Sequence, residues 1–174
     1  MSVARACAVV LLGWCLSGVA GVAAAAEQVI FVVRHAERAD GGAGTGGMTA
    51  ANDPPLSAAG AERAKRLAAT LASAGVAHAF TTEFRRTRDT AAPLAAKAGI
   101  APTVVSSKDG AGLVRQIREA KGNVLIVGHS NTVPEILKQL GVTTPISIAD
   151  DEYDNLFVVV RPATGEPTLI RLRY

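Results

Sequence analysis

The sequence predicts a layered α/β domain with a mostly parallel central sheet, and three observations support this fold class. Short apolar runs typical of buried strands recur along the chain, and the clearest are 29–33 and 124–127. Segments with apolar residues at helical spacing lie between these runs. Strands that alternate with helices are typical of a sheet covered by helices on both faces. We therefore expect a three-layer α/β/α sandwich.

The remaining elements follow from spacing and from cap residues. Ser57 is the expected N-cap of a first helix that ends at Gly75, and Gly99 is the expected stop of a second helix over 85–98. Two further helices are expected over 109–120 and 133–140. The other strands are expected at 76–82, 103–105, 156–160 and 168–172.

The first 26 residues are predicted to be a signal peptide. Arg5 precedes a short apolar run, and four alanines at 23–26 supply the small residues that cleavage requires. Cleavage leaves 174 − 26 = 148 residues, which form one predicted domain over 27–174. We expect a periplasmic or secreted protein with no stable membrane association after cleavage. A retained N-terminal anchor is the alternative.

Composition restricts the possible partners and chemistry. The formal net charge is +3 with only 4% aromatic residues, which argues against a nucleic-acid partner. Both cysteines, Cys7 and Cys15, lie in the predicted signal peptide. The mature chain would therefore have no thiol for a disulfide, for thiolate catalysis or for a metal site.

A glycine-rich segment over 40–55 is predicted to be a long loop. It holds five glycines and two adjacent prolines but few apolar residues. Because it follows the first strand closely, a role in covering a substrate is expected. No Gly-Lys-Ser/Thr follows the glycines, so the segment does not match a nucleotide-binding P-loop.

Two predicted strands end in histidine. The first runs into Arg34 and His35, and the second runs into His129 and Ser130. The carboxyl ends of parallel strands meet at one edge of a sheet, where ligands bind. An arginine cluster at 85, 86 and 88 follows a third strand and is expected at the same edge. Arginine forks match phosphate oxygens, so these residues indicate an anion pocket that contains a nucleophile.

A metal site is the rival use of two histidines. His35 and His129 lack the close spacing of a local ligand pair, and Arg34 would repel a cation. We therefore expect no metal and no cofactor.

Several segments together resemble the histidine phosphatase superfamily, also called the phosphoglycerate-mutase-like family. Arg34-His35-Ala36 resembles its Arg-His-Gly signature, with alanine in place of glycine. The segment 56–60 resembles its Leu-Ser/Thr-x-x-Gly helix start, and 82–91 resembles its Ser-x-Leu-x-Arg-Ala-x-x-Thr-Ala segment. The segment 127–130 resembles the one with the second histidine, and Asn155 resembles the asparagine that opens a late strand.

The resemblance implies the family fold and a phosphohistidine mechanism. His35 would attack phosphorus, while Arg34 and Arg86 would hold the nonbridging oxygens. His129 would donate a further hydrogen bond, and Ser130 would help to bind phosphate. The two arginines are expected to lower the pKa of His35 by repulsion of like charges.

The general acid is not fixed by the sequence. Family members place an acid downstream of the second arginine or directly after the second histidine, where this chain has Ser130. The candidates are Glu37, Glu83 and Asp109, for which surface salt bridges or a helix cap are equally good explanations.

The predicted function is that of an exported phosphatase acting on a phosphorylated small molecule or phosphoprotein. The first alternative is a phosphoglycerate-type mutase, which would need substrates that an exported protein rarely meets. The second is a non-catalytic protein that binds phosphate or a phosphosugar on the same fold. The presence of Arg34, His35, Arg86 and His129 together argues against the second alternative.

Overall fold

The structure is a computed structural model that describes residues 28–41 and 53–174. The predicted signal peptide and residues 42–52 of the glycine-rich segment lie outside the described residues. The predictions for both segments therefore stay predictions.

Six strands form one sheet in the order β3-β2-β4-β1-β5-β6. Their bounds are Gln28–Arg34 (β1), Val76–Thr81 (β2), Thr103–Val104 (β3), Asn123–Gly128 (β4), Asn155–Arg161 (β5) and Thr168–Arg173 (β6). The strands β3, β2, β4 and β1 are parallel, β5 is antiparallel to β1, and β6 is antiparallel to β5. The prediction of a mostly parallel sheet is thus confirmed.

Four helices of the described residues cover the two faces of the sheet. Their bounds are Ala58–Thr70 (α1), Arg85–Ala98 (α2), Gly110–Glu119 (α3) and Thr132–Gln139 (α4). Apolar residues of α1 and α2 pack on one face, and apolar residues of α3 and α4 pack on the other. The three-layer α/β/α prediction is confirmed. Among the described residues, no helix has both the length and the apolar character needed to cross a bilayer.

The alternating side chains of β1 explain why this strand is apolar throughout. Ile30 and Val32 are buried on the α3/α4 face, and Phe31 and Val33 are buried on the α1/α2 face. A strand that is buried on both faces needs apolar residues at every position. The central place of β1 in the sheet therefore fixes the position of the polar residues at its end.

The helix caps agree with the sequence at most ends. Ser57 Oγ accepts a hydrogen bond from Gly60 N at 3.0 Å, and Gly99 has a φ of +67°, which suits glycine at a helix stop. The prediction that the first helix extends to Gly75 was wrong. The helix ends at Thr70, because the chain then tightens into turns. These turns are closed by hydrogen bonds from the N–H of residue i+3 to the carbonyl of residue i, such as Ala74 N to Leu71 O.

Candidate active site

The ends of β1 and β4 bring His35 and His129 together. Arg34 is opposite Gly128 in the strand register, and His35 N donates to Gly128 O at 2.9 Å. The centroids of the two imidazole rings are 5.3 Å apart in an edge-to-face arrangement. Both side chains are buried. The expected meeting of the two histidines at one edge of the sheet is what the structure shows.

One hydrogen bond determines the tautomer of His35. Its Nδ1 lies 2.8 Å from Ala36 O. A carbonyl oxygen can only accept, so Nδ1 carries the proton of the neutral ring. The lone pair is then on Nε2, which is the atom available for nucleophilic attack.

The surroundings of His35 favour this neutral form. The pKa of His35 is lowered to about 2, chiefly by burial and then by His129, Arg86 and Arg34, against the opposing effect of the hydrogen bond to Ala36 O. The sequence predicted the direction of this shift from the two arginines. The structure adds that burial is the larger cause.

His129 is held on both sides of its ring. Its Nε2 lies 3.0 Å from Thr82 Oγ1, and its Nδ1 lies 3.5 Å from Arg86 Nη2. The ring of Phe84 packs edge to face against it, at 5.4 Å between centroids. Burial, and next the charge of Arg86, lower the pKa of His129 to about 4. His129 is therefore neutral near pH 7.

Arg86 is the arginine of the 85–88 cluster that enters the site. It is 1% exposed at the start of α2, with its guanidinium 4.3 Å above the ring of Phe84. Its Nη1 lies 3.4 Å from Asp53 Oδ1. By contrast, Arg85 is exposed and pairs with Asp89, and the exposed Arg88 donates to the carbonyl of Glu83.

Arg34 is fixed by backbone carbonyls. Its Nη1 donates to the carbonyl oxygens of Ala149, Asp150 and Glu152 at 2.9, 2.9 and 3.1 Å. The guanidinium lies 4.0 Å from the centroid of the Tyr153 ring. Its Nε is buried and has no hydrogen-bond partner among the described residues. A buried donor of this kind is ready to bind an oxyanion.

The hydroxyl of Thr90 joins the two halves of the site. Thr90 Oγ1 accepts from Ala36 N at 2.9 Å and donates to Arg86 O at 2.7 Å. It therefore links the backbone beside His35 to the first turn of α2, which carries Arg86. This contact gives a physical reason for a threonine four residues after the arginine.

Two of the three candidate acids are engaged away from the histidines, whereas Glu83 lines the opening beside His129. Glu37 forms a two-pronged ion pair with Arg63 on α1 at 2.6–2.9 Å. Asp109 caps α3 by accepting from Gly112 N at 2.8 Å. Glu83 accepts from both N and Oγ of Ser107. These contacts favour the salt-bridge and helix-cap explanations for Glu37 and Asp109.

An opening of about 510 Å³ adjoins the site. It is lined by Asp53, Glu83, Phe84, Ser107, Lys108, Asn131 and Thr132. Because Phe84 contacts both His129 and Arg86, this opening is the natural place for the part of a ligand that extends away from the anion. The half-buried Ser130 makes no side-chain hydrogen bond within the described part of the chain, so its hydroxyl is available.

Two other sequence features have a structural explanation. Asn155 is 1% exposed, and its Oδ1 accepts from Arg171 Nε at 2.8 Å across β5 and β6. His78 is exposed and contacts Lys121 O at 3.1 Å.

In residues 28–41 and 53–174, no three histidine, aspartate or glutamate side chains group as metal ligands do.

The sequence analysis did not identify four residues that lie at the site. Asp53 and Tyr153 carry no local signal, because their partners are distant in the chain. Thr82 stands at the serine position of the 82–91 motif, which is a signal that could have found it. Thr87 stands where that motif has alanine, so the motif offered no role for it.

Comparisons with known proteins agree with this geometry. Residues 30–108 match the family model described as histidine phosphatase superfamily (branch 1). This stretch includes Arg34, His35 and Arg86. A search of curated proteins found no match.

Solved structures share the fold at low sequence identity. One is assigned as an alpha-ribazole-5′-P phosphatase from Escherichia coli, with 14% identity, a TM-score of 0.67 and coverage of 84% of this chain and 96% of that one. A protein histidine phosphatase, SixA, complexed with tungstate is 17% identical, with a TM-score of 0.62 and coverage of 83% and 96%. A mycobacterial glucosyl-3-phosphoglycerate phosphatase complexed with VO3 is 14% identical, with a TM-score of 0.63 and coverage of 83% and 98%.

These identities establish the fold, and the family model connects that fold to the motifs at the ends of β1 and β2. Over residues 30–108 the chain matches the histidine phosphatase superfamily, and its fold is that of the solved phosphatases described above.

Proposed function

We propose that this protein is a metal-independent phosphatase that hydrolyses phosphomonoesters through a phosphohistidine on His35. One observation carries the proposal. The hydrogen bond from Nδ1 to Ala36 O leaves the Nε2 lone pair of His35 free, beside the buried guanidinium groups of Arg34 and Arg86. A neutral nucleophile next to two fixed cations suits attack on a phosphoryl group.

The proposed reaction has two steps. In the first, Nε2 of His35 forms a bond to phosphorus while the bond from phosphorus to the ester oxygen breaks, and the leaving oxygen takes a proton. In the second, water attacks the phosphohistidine, which releases inorganic phosphate and restores neutral His35. Each arginine contact is worth on the order of 4 kcal/mol at ~4 Å and an effective dielectric near 20.

Known relatives support this class of reaction. The three solved structures described above are each given as phosphatases, and two of them hold tungstate or vanadate. Both are oxyanions of the kind that a phosphoryl site accepts. We extend this oxyanion site to the present chain because its motif residues converge at the same edge of the sheet.

The leaving group is proposed to be a good one, such as an aryl alcohol or the imidazole of phosphohistidine. The carboxylates of Glu37, Glu83 and Asp109 are held by Arg63, Ser107 and Gly112 N, so we propose that general-acid assistance to the leaving group is weak. We expect p-nitrophenyl phosphate to react much faster than glycerol phosphate. Equal rates on the two substrates would contradict this assignment.

Trapping of the intermediate separates an enzyme from a binding protein. Quenching in alkaline denaturant within the first turnover should yield a base-stable, acid-labile phosphoprotein from p-nitrophenyl phosphate. The phosphoprotein should be absent in His35→Ala and present in His78→Ala, which removes an exposed histidine. If the wild-type protein traps no phosphate but still binds it, the non-catalytic alternative is correct.

The location is proposed to be the periplasm or the exterior of the cell, on the basis of the sequence features of residues 1–26. Expression of the full chain in a bacterium with a periplasm, followed by N-terminal sequencing, tests this. We expect the exported protein to begin at Glu27. A chain that keeps Met1 and sediments with membranes would support the anchor alternative.

A further inference from the structure

A row of buried hydrogen bonds runs from His129 to the first turn of α2. His129 Nε2 lies 3.0 Å from Thr82 Oγ1, which lies 2.9 Å from Thr87 Oγ1. Thr87 Oγ1 lies 2.7 Å from Phe84 O and 3.2 Å from Thr82 O. Thr87 is fully buried and Thr82 is 8% exposed, so water does not compete for these bonds.

The direction of each bond in this row follows from the carbonyl end. A carbonyl oxygen can only accept, so the single proton of the Thr87 hydroxyl points to Phe84 O or Thr82 O. Thr82 must then donate its own proton to Thr87 Oγ1. Thr82 Oγ1 has no second proton, and it can therefore only accept from Nε2 of His129.

The contact on the opposite side of the His129 ring independently places the proton on Nε2. Nδ1 of His129 faces Nη2 of Arg86 at 3.5 Å, and a guanidinium nitrogen can only donate. The lone pair of neutral His129 is thus on Nδ1, and the proton is on Nε2. His35 has the reverse arrangement, with its proton on Nδ1.

We propose that Thr82 and Thr87 fix the proton of His129 on Nε2, so that a tetrahedral oxyanion binds only together with one further proton, shared between the anion and Nδ1 of His129. This inference deepens the proposed function, since the anion in the reaction is the phosphoryl group. Thr82 and Thr87 are positioning residues, because they act through His129.

The requirement for a proton follows from the electrostatics around Nδ1. His129 Nδ1 lies beside Arg86 Nη2, which is proposed to hold the anion, so an anion bound there would face the Nδ1 lone pair. A lone pair repels an anion oxygen, whereas an N–H would bind it. The charged groups that act on His129 are Arg86 on α2, Arg34 and Arg38 around the end of β1, and Glu83 after β2, and His35 is its neutral neighbour. Burial is the largest cause that keeps free His129 neutral, and the three arginines act in the same direction.

The substrate can bring the required proton. The second pKa of a phosphomonoester is about 6, so its monoanion carries a hydroxyl that can donate to Nδ1. A dianion such as sulfate carries no proton in the neutral range and must take one from solvent. Sulfate is therefore the sharper probe of the proposal, and it requires no turnover.

The first test is the tautomer itself. Two-bond 15N–1H correlation spectra of the labelled mature protein distinguish a proton on Nδ1 from one on Nε2. His78→Gln removes the exposed histidine signal and leaves His35 and His129. We expect one ring of each tautomer at pH 7. A wild-type spectrum with His129 protonated on Nδ1 overturns the proposal without any threonine variant.

The second test is proton uptake. Titration calorimetry of sulfate in two buffers with different ionisation enthalpies should show one proton taken up per anion at pH 7. The Kd of sulfate should rise about tenfold per pH unit between pH 5.5 and 7.5, because one proton is linked to binding. A Kd that does not depend on pH contradicts the proposal.

Matched variants assign the effect to the threonine row. In Thr87→Val, Thr82 is free to donate to Nε2, so the Nδ1–H form of His129 becomes populated and the uptake falls below half a proton. Thr87→Ser keeps the hydroxyl and should behave as wild type. If His129 remains Nε2–H and uptake stays at one proton in Thr87→Val, the threonine row does not fix the tautomer and the proposal is wrong. The proposed function fails on a different result, the absence of a trapped phosphohistidine.

Discussion

Asp53 Oδ1 lies 3.4 Å from Arg86 Nη1, so a carboxylate faces the guanidinium that is proposed to hold the phosphoryl group. The other oxygen, Asp53 Oδ2, accepts from Arg85 N at 2.6 Å at the start of α2. An incoming anion therefore meets a resident negative charge. This arrangement places one acidic side chain in direct electrostatic competition with the substrate.

The first prediction concerns this competition. Asp53→Asn keeps an oxygen for Arg85 N but removes the negative charge, so the KM for p-nitrophenyl phosphate and the Ki for phosphate should each fall several-fold. The value of kcat should change little. Steady-state kinetics measure both, and Asp89→Asn, which removes the partner of exposed Arg85, is the matched control. A collapse of kcat with an unchanged KM would mean that Asp53 orients Arg86 instead.

The second prediction concerns stability at acid pH. Burial lowers the pKa of His129 to about 4, below its ordinary value of 6.5, so the unfolded chain binds a proton more readily than the folded chain. The stabilising effect of the neutral ring is complete above pH 6.5 and is lost as the pH falls towards 4. At pH 5 the loss is about 2 kcal/mol.

Urea unfolding at pH 7.5 and pH 5 measures this loss. His129→Gln should lose about 2 kcal/mol less than wild type between the two pH values, since glutamine does not titrate. The exposed His78→Gln serves as the control and should follow wild type. An equal acid loss in His129→Gln and wild type would show that the fold does not hold His129 neutral.

The third prediction concerns the double task of Arg34. Arg34→Met removes three charge-assisted hydrogen bonds to the 149–152 carbonyls, and it also removes one of the two cations that are proposed to bind phosphate. The free energy of unfolding should fall by about 3 kcal/mol, and kcat/KM should fall about a thousandfold. Arg88→Met, at an exposed arginine, should change neither by much. Full activity in Arg34→Met would remove Arg34 from the site.

The fourth prediction concerns Glu37 as a candidate acid. Its carboxylate is held by Arg63, and this pairing keeps the pKa of Glu37 below its usual value despite the opposing effect of partial burial. Glu37→Gln should therefore retain kcat within about threefold and lose about 1 kcal/mol of stability at pH 7. The stability difference from wild type should shrink as the pH falls below 4.5, because the unfolded chain then takes up the proton before the folded chain does.

A pH–rate profile checks the role of Glu37 directly. The profile on glycerol phosphate, which needs an acid most, should have the same shape in Glu37→Gln and wild type. Loss of activity on glycerol phosphate, with activity on p-nitrophenyl phosphate retained, would instead identify Glu37 as the proton donor.

The parts of the fold that the sequence predicts are those that depend on local pattern. Apolar runs and helix caps locate the strands and helices, and the parallel arrangement then places His35 and His129 at one edge. The contact between Asp53 and Arg86 joins positions 33 residues apart, and no local pattern records it. The threonine row could not be predicted for a similar reason, because its effect depends on the directions of individual hydroxyl groups.

Gly60 shows how a motif residue can be explained only by the structure. A Cβ at this position would lie 2.2 Å from the backbone oxygen of Glu37, so no side chain fits. The sequence identifies the glycine as part of a helix-start motif. The structure shows that it allows α1 to approach the chain just after His35. The glycine of the motif therefore has a steric role.

The hydroxyl of Thr90 has a consequence for how such a protein can change. It ties Ala36 N to Arg86 O, while His35 N is tied to Gly128 O, so short bonds within the sheet edge and α2 set the spacing of the reacting groups. Backbone carbonyls of the 149–152 loop also hold Arg34, so that loop is constrained as well. Loops at this edge that hold no reacting group can diverge in length and composition, and substrate preference can be altered, while the reacting groups keep their alignment.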